Sequence, residues 1–127
     1  MNDIKKKILI ADDEENIVIS LEFLMKREGF DVIVAGDGEE ALKRIHEDAP
    51  DLVLLDVMMP RKSGFEVCQE VRADPALSGV RVLMLTAKGR DTEVAKGLAL
   101  GADGYMTKPF STKELVAQVH ALLGVTE

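Results

Sequence analysis

Four short apolar runs in this chain each end in side chains suited to phosphate chemistry. Ile8 to Ala11 leads into Asp12-Asp13, Leu52 to Leu55 into Asp56, Val82 to Leu85 into Thr86, and the weaker Gly104 to Thr107 into Lys108-Pro109. Three carboxylates, a hydroxyl and an ammonium, brought together, would make a cation-assisted phosphoryl site. An open parallel sheet with helices on both faces offers the meeting place, because residues beyond the carboxyl ends of different strands converge in one crevice. Taken alone, Asp13 could simply cap the first helix, a common use of Asp. Asp56 shifts the balance, since a right-handed crossover is expected to set its strand beside the first. Unit charges about 4 Å apart at an intermediate dielectric interact with about 4 kcal/mol, so three clustered carboxylates need a cation. Oxygen-only ligands open to water and phosphate favour Mg2+.

Thr86 alone is an ordinary strand residue, and Lys108 alone an ordinary loop cation. Together, beyond two further strand ends, they supply a hydroxyl donor and a compact charge able to hold phosphoryl oxygens. Pro109 removes a backbone donor and stiffens the turn that aims Lys108. A cis Lys108-Pro109 bond has a base rate of only about 5–6% among X–Pro bonds.

The elements that must position these groups are visible as an alternation. Apolar runs rich in Val, Ile and Leu alternate five times with segments of helical period, the pattern of βα units around a parallel sheet. Strands are expected over 5–11, 31–35, 51–56, 80–86 and 103–107. The helices between them carry apolar faces at Ile17, Leu21, Leu24 and Met25, at Ala41, Leu42, Ile45 and Ala49, and at Leu115, Val119, Leu122 and Leu123. Asp37-x-x-Glu40, Ser63-x-x-Glu66 and Ser111-x-x-Glu114 each set an acceptor at an N-cap and a carboxylate three residues on. Gly29 and Gly101 follow helical patterns, where a left-handed residue is least strained as glycine. The middle strands are continuously apolar, as burial on both faces requires, whereas 103–107 carries Asp, Gly and Thr and reads as an edge.

The 127 residues fit one domain, 1–127, which buries roughly two thirds of its unfolded surface. The four residues after Leu123 leave no room for a linker, so output is expected through partner contacts. A net charge of −7, with no basic stretch beyond Lys5-Lys6-Lys7, argues against a nucleic-acid surface. The apolar run after those lysines stops at Asp12, too short for a signal core, and no other run suggests a membrane segment; a cytoplasmic protein is expected. Cys68 shares a helical face with Phe65 and Val71 and reads as a buried, inert thiol. His46 and His120 each follow a core position and read as solvated or boundary side chains.

At this point the segments ILIADDEEN, LVLLDVMMPRKSGFEV, VLMLTAKG and GADGYMTKPFSTKEL, in this order and spacing, resemble bacterial response-regulator receiver domains across nearly the whole chain. The resemblance implies a flavodoxin-like α/β fold, a doubly wound five-stranded parallel sheet in the order 2-1-3-4-5 with five helices. It implies Asp56 as the phosphoacceptor, with Mg2+ held by Asp13, Asp56 and the Met58 backbone carbonyl, and by Asp12 mainly through water. Thr86 would hydrogen-bond one phosphoryl oxygen and Lys108 would pair with another, with Lys108-Pro109 cis. Tyr105 would be the switch aromatic, turning inward as Thr86 moves toward the phosphoryl group. The fourth helix, fifth strand and fifth helix, roughly 91–123, would report phosphorylation to partners, and Met58 and Lys88 would flank the site where hydrolysis rate is tuned.

By the same resemblance the phosphoryl donor is a sensor histidine kinase or a histidine phosphotransfer protein, and the target is an unspecified downstream protein. The chain would catalyse its own phosphorylation and slow dephosphorylation without being a metabolic enzyme. One departure concerns self-association. Receivers that dimerise through the 91–123 surface often carry an acidic residue where this chain has Gly104 and a basic one where it has Gln118, so a monomer is expected.

Rival readings fit less well. A flavodoxin-like nucleotide binder needs a Gly, Ser or Thr loop after the first strand, where this chain has Asp-Asp-Glu-Glu. No P-loop motif occurs. A haloacid-dehalogenase-like phosphatase usually has a second Asp two residues beyond its nucleophile, where this chain has Met58. A degenerate receiver that binds without phosphorylation would not need the complete set of chemical residues present.

Overall fold

The computed structural model describes residues 5–87 and 91–124. Lys88 lies outside the described residues. Five strands, β1 (Lys7–Ala11), β2 (Asp31–Ala35), β3 (Leu52–Asp56), β4 (Arg81–Thr86) and β5 (Gly104–Thr107), alternate with α1 (Glu15–Arg27), α2 (Gly38–Asp48), α3 (Gly64–Ala73), α4 (Asp91–Ala99) and α5 (Thr112–Leu123). A 3-10 turn, Pro75–Leu77, precedes β4. All strand pairs are parallel and the order is β2-β1-β3-β4-β5, so the expected doubly wound, flavodoxin-like topology is observed.

Alternation along the strands sorts the core into two layers. Leu9, Ala11, Val53, Leu55, Val82 and Met84 pack with residues of α2 and α3, while Ile8, Ile10, Leu52, Leu54, Leu83 and Leu85 pack with residues of α1 and α5. The three central strands are buried on both faces, which is why their sequences are unbroken apolar runs. Each fully buried aliphatic side chain stabilises the fold by roughly 1.5–3 kcal/mol relative to exposure. β5 lies at the sheet edge, as its polar content suggested.

The helix starts follow the sequence signals. Asp37, Ser63 and Ser111 accept from the amides of Glu40, Glu66 and Glu114, and Ser63 with Glu66 forms the full reciprocal box. Glu40 instead reaches back to the Gly36 amide at 2.9 Å. Gly29 and Gly101 have φ of +92° and +103°, as expected after α1 and α4. Ala49 departs from the expected pattern. It is exposed and left-handed (φ +44°) at the end of α2 rather than on the buried face, because Pro50 has no amide to extend the helix. The strands at 5–11, 51–56, 80–86 and 103–107 start one or two residues later than their apolar runs suggested.

Candidate metal and phosphoryl site

The register brings four strand ends level. Ala11 pairs with Leu55, Asp56 with Leu85 and Thr86 with Thr107, so the residues at and just beyond these positions share one edge of the sheet. There Asp13, Glu14, Asp56, Met58, Thr86, Ala87 and Lys108 line a cleft of about 270 Å³. Asp12 lies beneath it, 2% exposed, beside Asp56 at 3% and Thr86 at 1%.

The charges in this cleft do not balance. Lys108 Nζ lies 2.9 Å from Asp12 Oδ2, 3.0 Å from Glu14 Oε1 and 3.6 Å from Asp56 Oδ1. One carboxylate oxygen from each of Asp12, Asp13 and Asp56 falls within 4.8 Å of the others. Burial first, and the Asp12 charge next, push the Asp56 carboxyl from 3.8 up to about 7, against the opposing effects of Lys108 and a hydrogen bond from the Met58 amide. For Lys108 burial disfavours the ammonium, yet hydrogen bonds to Asp12 and Glu14 outweigh it and raise the pKa above its ordinary value. An all-oxygen donor set with surplus negative charge fits a hard divalent cation such as Mg2+.

Asp13 is available for this role because it is not the helix cap. Glu14 holds the N-cap position of α1 without a side-chain bond, and Asp12 Oδ1 accepts from the Glu14 amide at 2.9 Å. Lys108 is held in place from its own backbone, since its amide donates to the Thr86 carbonyl at 2.6 Å; the following Lys108-Pro109 bond is cis.

These features, the fold and the site, occur together in a known family. Residues 8–120 match the family described as response regulator receiver domain. The chain belongs to that family. Receivers are signalling modules of two-component systems that hold Mg2+ in an acidic pocket. This receiver is 51% identical over 122 residues to the alkaline phosphatase synthesis transcriptional regulatory protein PhoP of Bacillus subtilis (strain 168), a match covering 96% of this chain and 50% of that protein. The chain therefore spans about half the length of this curated relative. A response regulator of Chloroflexus aurantiacus J-10-fl superposes with a TM-score of 0.91 at 36% identity, covering 95% of this chain and 99% of that one. Chemotaxis protein CheY4 of Vibrio cholerae gives 0.88 at 30% identity, covering 94% and 99%.

Within the receiver, Asp12, Asp13, Asp56, Met58, Thr86 and Lys108 are thus gathered at one edge. Tyr105 lies apart from the cleft. Its ring packs at the α4 side of the sheet, where a Cβ on Gly97 would come 3.1 Å from it, and its hydroxyl is shielded from solvent. Met58 has an exposed side chain, so its contribution to the cleft is backbone and rim. Glu14, which pairs with Lys108 from 94 residues away, carries no sequence signal beyond the length of the acidic run. Cys68 is fully buried, with its thiol facing the Leu100 carbonyl and its pKa raised by burial. His46 and His120 lie at the surface and at a boundary, beside Asp74 and Glu28.

Proposed function

We propose that this receiver is a phosphorylation-dependent switch that accepts a phosphoryl group on Asp56 from a sensor histidine kinase or a histidine phosphotransfer protein. The observation that carries the reading is the buried Asp56 carboxyl, crowded by Asp12 and Asp13 and faced by Lys108 at 3.6 Å. Asp13, Asp56 and the Met58 carbonyl would hold Mg2+, with Asp12 acting through water. When bound, Mg2+ keeps Asp56 ionised and offsets charge on the phosphoryl oxygens.

An Asp56 carboxylate oxygen attacks phosphorus as the P–N bond of the phosphohistidine breaks and its electron pair returns to the imidazole. Lys108 neutralises one phosphoryl oxygen and Thr86 donates its hydroxyl to another. Attack of water on the same phosphorus later releases inorganic phosphate and restores the carboxylate, giving slow self-dephosphorylation. The new group adds ~1.5–2 negative charges, enough to bias two packings separated by a few kcal/mol. Thr86 and Tyr105 couple the site to the α4–β5–α5 surface, which contacts an unspecified downstream protein in the cytoplasm.

The acceptor role is tested by intact mass after incubation with acetyl phosphate. One phosphoryl group is expected only with Mg2+, and none in Asp56→Asn. No gain under any condition, with no response to beryllofluoride, would favour a receiver that binds without phosphorylation. We further propose that the domain is a single unit, 1–127, that stays monomeric and binds neither nucleic acid nor membrane. Gly104 and Gln118 lie side by side on the β5–α5 surface, so a pair often charged in dimerising receivers is neutral here. Sedimentation with beryllofluoride and Mg2+ should give a monomer; a tight dimer would refute this. Among the described residues no helix is long and apolar enough to cross a membrane.

A further inference from the structure

We propose that the first turn of α2 positions the loop that follows the phosphoacceptor, with Gly38 as its seat and Arg61 as its clip. The proposal rests on the reading above, in which the Met58 carbonyl belongs to the Mg2+ ligand set. Residues 57–63 leave the sheet through a closed neck. The Val57 amide donates to the Leu85 carbonyl at 3.0 Å, and the Gly64 amide donates to the Val57 carbonyl at 2.8 Å. These bonds hold the base of the loop and leave its far side to be placed by something else.

That support is α2. The Gly38 amide donates to the Pro60 carbonyl at 3.3 Å, and the Lys62 amide donates to the same oxygen at 2.9 Å. A Cβ on Gly38 would overlap the Lys62 carbonyl oxygen, so the two backbones are in direct contact and only glycine permits it. Next to this contact Arg61 has φ of +71°, a left-handed conformation that an L side chain disfavours. Its guanidinium reaches Asp37 at 3.4 Å and Glu39 at 3.7 Å, and Asp37 also caps α2 through the Glu40 amide at 2.8 Å. On the other side Lys62 pairs with Glu70 of α3 at 2.7 Å. Met58 is two residues before Pro60, so a shift of Pro60–Lys62 displaces both the Met58 carbonyl and the Met58 amide that bonds Asp56. Gly38, Asp37 and Arg61 are positioning residues: none touches the phosphoryl group.

Calorimetric Mg2+ titration of the full chain, with circular dichroism to confirm folding, tests this. Groups that orient metal ligands typically change affinity 10–100-fold when altered, so Gly38→Ala should weaken Mg2+ binding by about tenfold or more. Arg61→Ala, which loses only exposed ion pairs while keeping the disfavoured φ, should weaken it about three- to fivefold. Arg61→Gly should return to within about twofold of the wild type, because glycine adopts this φ without strain. A purely structural role would lower stability without this pattern of loss and rescue. Should Gly38→Ala fail to fold, the Arg61 pair decides. Wild-type binding with unchanged affinity in both Arg61 variants would overturn the positioning role alone. No Mg2+ binding by the wild type would overturn the reading of the site, and this proposal with it.

Discussion

Two clusters of opposite charge lie near strand ends in this receiver, and they are built on different principles. Arg72 and Asp103 make one contact of 2.7 Å; Asp103 also accepts the Val82 amide at 2.8 Å, and Arg72 donates to the Gly101 carbonyl at 2.8 Å. One cation meets one anion, backbone groups take the remaining bonds, and α3 is tied to the turn before β5. At the other cluster Lys108 faces Asp12, Glu14 and Asp56, with Asp13 close by. Its central side chains, Lys108, Asp12 and Asp56, are only 9%, 1% and 4% exposed, and negative charge is in excess. The first cluster completes its own bonds; the second keeps negative charge in reserve, as an oxygen-rich cation site would.

The largest expected effect is at Asp56. Its carboxyl is raised from 3.8 to about 7 in the folded chain, so between those values the native state holds a proton that the unfolded chain has released. Without Mg2+, stability therefore falls as pH rises from about 4 to about 7 and stays low above. Asp56→Asn should remove that slope and be more stable above pH 7, on the order of 4 kcal/mol. Urea unfolding across this range checks it, and an unchanged slope would assign the burden elsewhere. The balanced cluster should respond in the opposite sense: Arg72→Ala is expected to lose about 1.5–3 kcal/mol, the range for charge-assisted bonds, with Mg2+ affinity intact.

Mg2+ itself should sharpen the contrast. At ten times its dissociation constant it should stabilise the wild type by about 1.4 kcal/mol and Asp56→Asn by much less. Equal stabilisation of both would point to binding outside the cleft. The smallest effect is expected at Gly97→Ala, where an added methyl would press on the Tyr105 ring from 3.1 Å and stand 3.5 Å from Phe65. Stability should change by less than about 1 kcal/mol, the scale of a Gly-to-Ala helix preference. Tyr105 fluorescence should change clearly, and with one Tyr and no Trp in the chain the signal is unambiguous.

Most of the scaffold was legible because its signals are local. An unbroken apolar run such as LVLL requires burial on both sides, and Ser63-x-x-Glu66 specifies its own cap within four residues. The strand-end rule then gathered Asp12, Asp13, Asp56, Thr86 and Lys108 without any measured distance. What escaped was set between distant segments. Ala49 fits the helical period of α2 but is turned out where the helix meets Pro50. Glu14 reads as one more acid in a run until Lys108 arrives beside it. Gly38 looks like an ordinary residue at a helix start; only the approach of Lys62 explains it.

The buried thiol of Cys68 has a practical consequence. It is the only sulfhydryl in the chain, and it lies between α3 and the end of α4, facing the Leu100 carbonyl. An alkylating reagent can reach it only when α4 lifts away or the whole domain opens, so its labelling rate measures the free energy of that opening. With no engineered probe, a mass spectrum taken over time would follow how readily the end of α4 parts from α3 or the domain opens.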